Sequence, residues 1–193
     1  MKPVQVIDIF AGPGGLGEGF SALDDNRRFD IALSIEMDPV ARATLRLRSF
    51  FRQFPRGAAP PEYYAYVRGE PVDLVSSHPR EWESADREAW CAQLGVEPPH
   101  SVKKRVTDAL SNAPGGGQFV LVGGPPCQAY SLVGRSRMRS VRGDEFDSDH
   151  RHLLYREYLR ILADHAPAVF VLENVKGRFC QNSGSVLSVA SSN

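Results

Sequence analysis

Apolar residues along this chain gather in short runs, and each run is followed by a glycine-rich or polar segment. Residues 4–10, 119–122 and 168–172 read as continuous rather than alternating runs. Such runs are typical of strands that are buried on both faces of a parallel sheet. A further run, residues 29–35, mixes apolar with polar positions. The pattern therefore predicts four strands.

Helical periodicity lies between these strands. We expect helices at residues 16–23, 39–51 and 152–165. In the last of these segments, apolar side chains recur at helical spacing, namely Leu154, Tyr158, Leu159 and Leu162. Alternation of strands and helices predicts an α/β fold with a doubly wound, mostly parallel sheet.

The stretch from about residue 52 to 104 departs from this alternation. It contains Pro-Pro pairs, the tyrosines Tyr63, Tyr64 and Tyr66, and one helical pattern at residues 80–94. We expect a peripheral insertion between strand–helix units at 52–104. Its tyrosines could contact nucleic acid, or they could pack into a surface subdomain.

Composition and charge narrow the setting of the protein. The 193 residues suit one domain, and 23 basic against 23 acidic residues predict no overall attraction to DNA or membrane. No apolar stretch is long enough to cross a bilayer, and the N-terminus lacks the apolar region of a signal peptide. The three cysteines form no CxxC pair, so we expect neither a disulfide framework nor a metal site. A reducing, cytoplasmic setting fits best.

The first predicted strand ends in a glycine-rich loop. Gly12, Gly14 and Gly17 satisfy the GxGxxG spacing, which permits a tight turn and close approach of a ligand at a helix N-terminus. Glu36 follows the next strand about 20 residues on, where a carboxylate could accept hydrogen bonds from ribose hydroxyls. Together they predict a ligand that carries adenosine. The spacing does not separate a dinucleotide from S-adenosylmethionine.

Two other strand ends carry reactive side chains. Cys127 follows the run 119–122 and a Gly-Gly-Pro-Pro segment, so it is a candidate nucleophile; a partly buried, inert thiol is the alternative. Glu173 follows the run 168–172 directly. If Glu173 is buried, its pKa would be raised and it could hold or transfer a proton. The alternative is an exposed glutamate that begins a loop.

Three motifs, in this order, resemble those of the DNA cytosine-5 methyltransferases. They are Phe10-Ala11-Gly12-x-Gly14-Gly15, Gly124-Pro125-Pro126-Cys127-Gln128 and Glu173-Asn174-Val175. The resemblance runs from about residue 4 to 177, apart from the expected insertion. It implies an S-adenosylmethionine-dependent methyltransferase fold of the Rossmann-like type, with S-adenosylmethionine as cofactor and double-stranded DNA as partner.

The resemblance also implies roles for individual residues. In that family the sulfur matching Cys127 adds to C6 of a flipped cytosine, and C5 then takes the methyl group of S-adenosylmethionine. The residue matching Glu173 contacts N3 and the amino group of the same base. The implied cofactor-binding residues are Phe10, Gly12, Gly14, Glu36, Met37, Asp108, Pro125 and Leu154. Asp108 would accept from the adenine amino group, and a helix cap is the alternative for it.

The segment after the candidate nucleophile is rich in arginine. Residues 134–143 hold four arginines between glycines. This composition suits a mobile loop that closes on phosphates, and a solvated basic loop is the alternative. The expected DNA-contacting residues are Gln128, Ser131, Arg135, Arg137 and Asn174.

The chain departs from the family after residue 177, where the further strands, the target-recognition region and the final helix of full enzymes are not recognisable. We therefore expect residues 1–177 to be a partial, truncated catalytic domain and residues 178–193 to be a poorly ordered tail. The expected function is DNA cytosine-5 methylation in restriction–modification, with little activity from this chain alone. A second polypeptide could supply the recognition half. A non-catalytic remnant, an accessory nucleotide-binding protein and an NAD(P)-dependent oxidoreductase are the alternatives.

Overall fold

A computed structural model of the chain describes residues 2–23, 28–111, 118–125 and 146–173, with the side chains of the last range described from Leu154 onward. The strands are β1 (Val4–Ile9), β2 (Phe29–Glu36), β3 (Ala89–Cys91), β4 (Phe119–Gly123) and β5 (Val169–Leu172). They form one parallel sheet in the order β3-β2-β1-β4-β5. The four predicted strands are confirmed.

The described helices connect these strands and cover the sheet. They are α1 (Gly15–Ser21), α2 (Pro39–Arg52), α3 (Pro61–Val67), α4 (Leu74–Ser77), α5 (Pro79–Glu88), α6 (Pro99–Ser111) and α7 (Phe146–His165). The helices predicted at residues 16–23, 39–51 and 152–165 correspond to α1, α2 and α7. Among the described helices, none is long and apolar enough to span a bilayer.

Alternate residues of the strands point to opposite faces of the sheet and build two cores. On the face covered by α1, the buried residues are Val6, Ile31, Val120 and Val122. On the face covered by α6 and α7, the larger core includes Ile7, Ile9, Leu33, Leu121, Val102, Val106, Tyr158 and Ile161. Helices on both faces of a parallel sheet confirm the doubly wound α/β fold of the Rossmann-like type.

The expected insertion at residues 52–104 is only partly peripheral. Strand β3 lies inside this stretch and pairs with the end of β2, with Ala89 opposite Ser34 and Cys91 opposite Glu36. Helix α6 also begins inside it, at Pro99. A three-residue strand produces no recognisable apolar run, so the sequence pattern does not predict β3. The helix expected at residues 80–94 corresponds to α5. It ends earlier than expected, at Glu88, because β3 begins at the next residue.

Helices α3, α4 and α5 form the peripheral part of this stretch and pack against α2. Phe50, Leu74 and Ala85 are buried there, and Tyr63 and Trp82 pack against them. The Tyr63 ring stacks on Phe50 with 6.2 Å between centroids and 17° between planes. A small packed subdomain, rather than a nucleic-acid surface, therefore accounts for Tyr63.

Candidate functional site

The carboxyl ends of four neighbouring strands lie at the same level of the sheet. Ile9 of β1 is opposite Ile35 of β2 and Gly123 of β4, and Gly123 is opposite Leu172 of β5. The next residue of each strand therefore lies along one edge; these four residues are Phe10, Glu36, Gly124 and Glu173. Ligands of open α/β sheets bind beyond this edge. The structure thus brings the glycine loop, Glu36 and Glu173 to the same side of the molecule.

The loop between β1 and α1, residues 10–17, turns sharply through left-handed backbone. Phe10 has a φ of 55°, Gly12 of 56° and Gly14 of 92°. The Gly14 N–H donates to the Ala11 carbonyl at 2.9 Å, and α1 begins directly after Gly14. The positive φ favours glycine at residue 14, and a Cβ there would lie 2.7 Å from Leu45 Cδ2, so that the leucine side chain would have to shift. Phe10 adopts left-handed backbone without that freedom, which is a form of strain that concentrates at functional sites.

Glu36 fastens the loop to the end of β2. Its Oε2 accepts the N–H of Gly12 at 2.8 Å, and its Oε1 accepts the N–H of Asp38 at 2.8 Å. A carboxylate offers about four acceptor positions, so both oxygens keep capacity for a further donor. Within the described part of the chain, a Cβ at Gly12 would meet no atom within 4 Å, which leaves open space beside Gly12.

Met37 and the end of β3 extend the edge beyond Glu36. The Met37 side chain is 56% exposed, an unusual position for a large apolar group. Its carbonyl accepts a weak hydrogen bond from the Cys91 thiol, with 3.9 Å between sulfur and oxygen. The sequence pattern overlooks Cys91 because it does not predict β3. Cys91 is the residue of β3 that pairs with Glu36, so its thiol lies beside the candidate site.

Asp108 lies on a helix rather than at a strand end. It lies inside α6, 2.6 Å from Lys104 Nζ, and so does not cap that helix. With Gln5 and Asp30, which are second residues of β1 and β2, it lines a cavity of about 380 Å³. Asp108 also borders the groove along the outer edge of β3. Asp108 thus borders both a cavity next to the amino ends of β1 and β2 and a groove that includes Cys91, the partner of Glu36, and its expected adenine contact stays a prediction.

Backbone crowding marks the end of β4. A Cβ at Gly123 would lie 2.3 Å from the carbonyl oxygen of Ile9, so only glycine fits between the two strands. A Cβ at Gly124 would lie 2.6 Å from Glu173 Oε2. The Glu173 carboxylate therefore lies against the backbone of Gly124. The backbone N–H of Glu173 donates to the Gly123 carbonyl at 2.9 Å. The side chain of Glu173 is exposed, which agrees with the alternative that this glutamate begins a loop.

Of the remaining predicted site residues, two lie within the described ranges and six lie outside them. Pro125 is half-buried directly after Gly124, and Leu154 is half-buried on α7. The predicted residues that lie outside the described ranges are Cys127, Gln128, Ser131, Arg135, Arg137 and Asn174.

A buried carboxyl group lies beneath the loop at residues 10–17. Asp8 of β1 is fully buried, and its Oδ2 accepts the N–H of Gly17 at 3.2 Å. Its Oδ1 has no hydrogen-bond partner within the described part of the chain. Burial raises the pKa of Asp8 to about 7, although the Gly17 hydrogen bond and the positive charge of Arg52 act in the opposite direction. The sequence alone could have identified Asp8, because a carboxyl group within an apolar strand is unusual.

Arg52 at the end of α2 joins the elements around Asp8. Its guanidinium forms ion pairs with Glu18 of α1 and with Glu88 at the end of α5. Ser49 Oγ donates to Glu88 Oε2 at 2.5 Å. Burial raises the pKa of Glu88 to about 7, while Arg52 and Ser49 act to lower it. This network fixes α1 against α2 and the start of β3.

The chain is similar in sequence to known proteins. Residues 101–193 match the profile of the C-5 cytosine-specific DNA methylase family. Over 94% of its length, the chain is 31% identical to the Type II methyltransferase M.Bpa9945I of Bacillus paralicheniformis, of which it covers 42%. It is 27% identical over 96% of its length to the Type II methyltransferase M.AgeI of Thalassovita gelatinovora, of which it covers 31%.

The chain spans less than half the length of these two relatives. Among solved structures, the Entamoeba histolytica methyltransferase EhMeth overlaps 91% of this chain and 39% of its own, with a TM-score of 0.44 and 16% identity. The family profile matches the part of the sequence that holds the Pro-Cys-Gln and Glu-Asn-Val motifs, and the relatives match nearly the whole chain. Nearly the whole chain is therefore similar to part of these Type II methyltransferases, and its residues 101–193 are similar to the C-5 cytosine-specific DNA methylase family.

Proposed function

We propose that this chain is the cofactor-binding and nucleophile-bearing part of a DNA cytosine-5 methyltransferase that uses S-adenosylmethionine. The observation that carries the proposal is the Glu36 carboxylate, held at the carboxyl edge by the N–H groups of Gly12 and Asp38. A fixed carboxylate beside a glycine loop suits the hydroxyl pair of a ribose. The relatives are named methyltransferases, which favours S-adenosylmethionine over a dinucleotide as the ligand.

The residues at this edge fit that cofactor. The free acceptor positions of Glu36 would take the ribose hydroxyls, and the exposed side chain of Met37 would cover the adenine ring. The open space beside Gly12 leaves room for the methionine part along the loop at residues 10–17. When bound, S-adenosylmethionine supplies an electrophilic methyl group.

Cys127 and Glu173 would act on the DNA base. In the proposed reaction, the Cys127 thiolate forms a bond to C6 of a flipped cytosine, and the electron pair of the C5–C6 double bond makes C5 nucleophilic. Glu173 would hold the proton at N3 that balances this charge. After methylation, loss of the C5 proton expels the thiolate and restores the ring. Contact of Glu173 with Gly124, three positions before Cys127, supports this pairing.

Calorimetric titration tests the cofactor assignment. We expect the wild-type chain to bind S-adenosylhomocysteine and not NAD. Glu36→Ala should weaken that binding about tenfold or more, because hydrogen bonds to a charged group contribute about 1.5–3 kcal/mol. Glu83→Gln, on the exposed face of α5, is the control carboxylate and should change nothing. Binding of NAD without S-adenosylhomocysteine would favour the oxidoreductase alternative and overturn the proposal.

Covalent trapping tests the nucleophile. A DNA duplex with 5-fluorocytosine at the target base should form an adduct with the chain when S-adenosylmethionine is present, detected by mass spectrometry. Cys127→Ser should abolish the adduct, and Cys91→Ser should retain it. Glu173→Gln should slow adduct formation with unchanged affinity for S-adenosylhomocysteine. An adduct that persists in Cys127→Ser would contradict the assignment, and failure with every DNA sequence would favour the non-catalytic alternative.

A further inference from the structure

We infer that Asp8 is a positioning residue for the cofactor loop at residues 10–17, which it holds from beneath through the N–H of Gly17. Its effect on cofactor binding rests on the proposed function. Its effect on the loop itself is measurable without a ligand. The strand position of Asp8, its complete burial and its hydrogen bond to α1 carry the inference.

Two carboxylates fasten the loop to the sheet at separate points. Glu36 accepts from Gly12 near the start of the loop, and Asp8 accepts from Gly17 at its end. Asp8 and Glu36 belong to adjacent paired strands, with Asp8 opposite Ser34. Both carboxylates therefore belong to the rigid sheet, while the N–H groups that they hold belong to the loop and the first turn of α1. The two hydrogen bonds, at Gly12 and at Gly17, therefore hold both ends of the left-handed turn against the sheet.

The close approach of α1 to β1 makes the Asp8 contact specific. A Cβ at Gly17 would lie 3.0 Å from Asp8 Oδ2 and 3.7 Å from Ile31 Cδ1. Glycine therefore lets the helix lie near enough for its N–H to reach the carboxyl group. Gly17→Ala should disturb the same contact from the helix side. Gly19 on the same helix is exposed, and a Cβ there would meet no atom of the described residues within 4 Å, so Gly19→Ala is a matched control.

Hydrogen exchange of the ligand-free chain tests the positioning role. We expect amide exchange in residues 10–17 to be about tenfold faster in Asp8→Ala and in Gly17→Ala, as for loss of one buried hydrogen bond. Asp8→Asn keeps an acceptor oxygen and should restore exchange to within about threefold of wild type. Gly19→Ala should match wild type. Exchange in β4 should stay unchanged, which shows that each variant is folded.

Affinity for S-adenosylhomocysteine, measured on the same variants, links the loop to the cofactor. We expect about tenfold weaker binding for Asp8→Ala and Gly17→Ala, with recovery in Asp8→Asn. If Asp8→Ala exchanges like Gly19→Ala, or if Asp8→Asn fails to recover, the inference is wrong. Faster loop exchange with unchanged affinity would also overturn it. If the wild-type chain does not bind S-adenosylhomocysteine, the proposed function fails, and loop exchange still decides whether Asp8 positions the loop.

Discussion

Replacing Asp8 with asparagine should flatten the dependence of the free energy of unfolding on pH. Burial raises the pKa of Asp8 from the ordinary value of 3.8 to about 7 in the folded chain. Between these two values the folded state holds a proton that the unfolded state has released. The free energy of unfolding therefore falls as pH rises through this window, and the stabilisation is fully present only below the lower value.

The size of this effect follows from the shift. Each pKa unit corresponds to about 1.4 kcal/mol, so a shift of about three units corresponds to a loss of about 4 kcal/mol at most. Glu88 contributes in the same window because burial also raises its pKa to about 7. Glu88→Gln, measured in the same series, separates the two contributions.

Urea unfolding followed by circular dichroism, from about pH 5 to about pH 8, measures the effect. The free energy of unfolding of the wild-type chain should fall by several kcal/mol across this range, and that of Asp8→Asn should fall clearly less. Near the acidic end, Asp8→Asn should be less stable than wild type by about 1–3 kcal/mol, because its buried NH₂ group has no acceptor. This difference should shrink or reverse near the alkaline end. Parallel curves for the two proteins would refute the reasoning.

Three further substitutions test the packing and the placement of the site. Gly123→Ala should destabilise the chain by about 3 kcal/mol or more, because its Cβ would lie 2.3 Å from a carbonyl oxygen of β1; thermal unfolding measures this against Gly19→Ala. Tyr158→Phe should lower the free energy of unfolding by about 1 kcal/mol, because the buried Tyr158 hydroxyl donates to a carbonyl of β5 at 3.2 Å. Tyr155 is exposed, so Tyr155→Phe should leave the stability unchanged in the same assay. Asp108→Asn should leave the affinity for S-adenosylhomocysteine unchanged in calorimetry if Asp108 serves only the cavity next to Gln5 and Asp30. A tenfold loss, about 1.4 kcal/mol, would support its predicted adenine contact.

The sequence predicts those parts of the fold that have strong local patterns. Strands β1, β4 and β5 are apolar because helices cover both faces of the sheet, and such runs are visible without a structure. The pairing of the glycine loop with Glu36 is likewise predictable, because the ends of adjacent parallel strands meet at one edge.

Other features depend on contacts that no local pattern records. Strand β3 has only three residues, and its place in the sheet follows from pairing with the end of β2. The position of Asp108 inside α6, paired with Lys104, is likewise not visible in the sequence motif that suggested its adenine contact. The role of Asp8 depends on how closely α1 approaches β1, which is a tertiary contact.

Hydrogen exchange of the wild-type chain, with and without S-adenosylhomocysteine, tests the central claim most directly, because it locates the cofactor on the sheet. The ligand should slow exchange in the loop at residues 10–17 and at residues 36–38, which lie at the carboxyl edge. It should leave residues 104–108 of α6 unchanged, and NAD should protect neither region. Protection of residues 104–108 without protection of the loop, or no protection at all, would contradict a cofactor site at this edge.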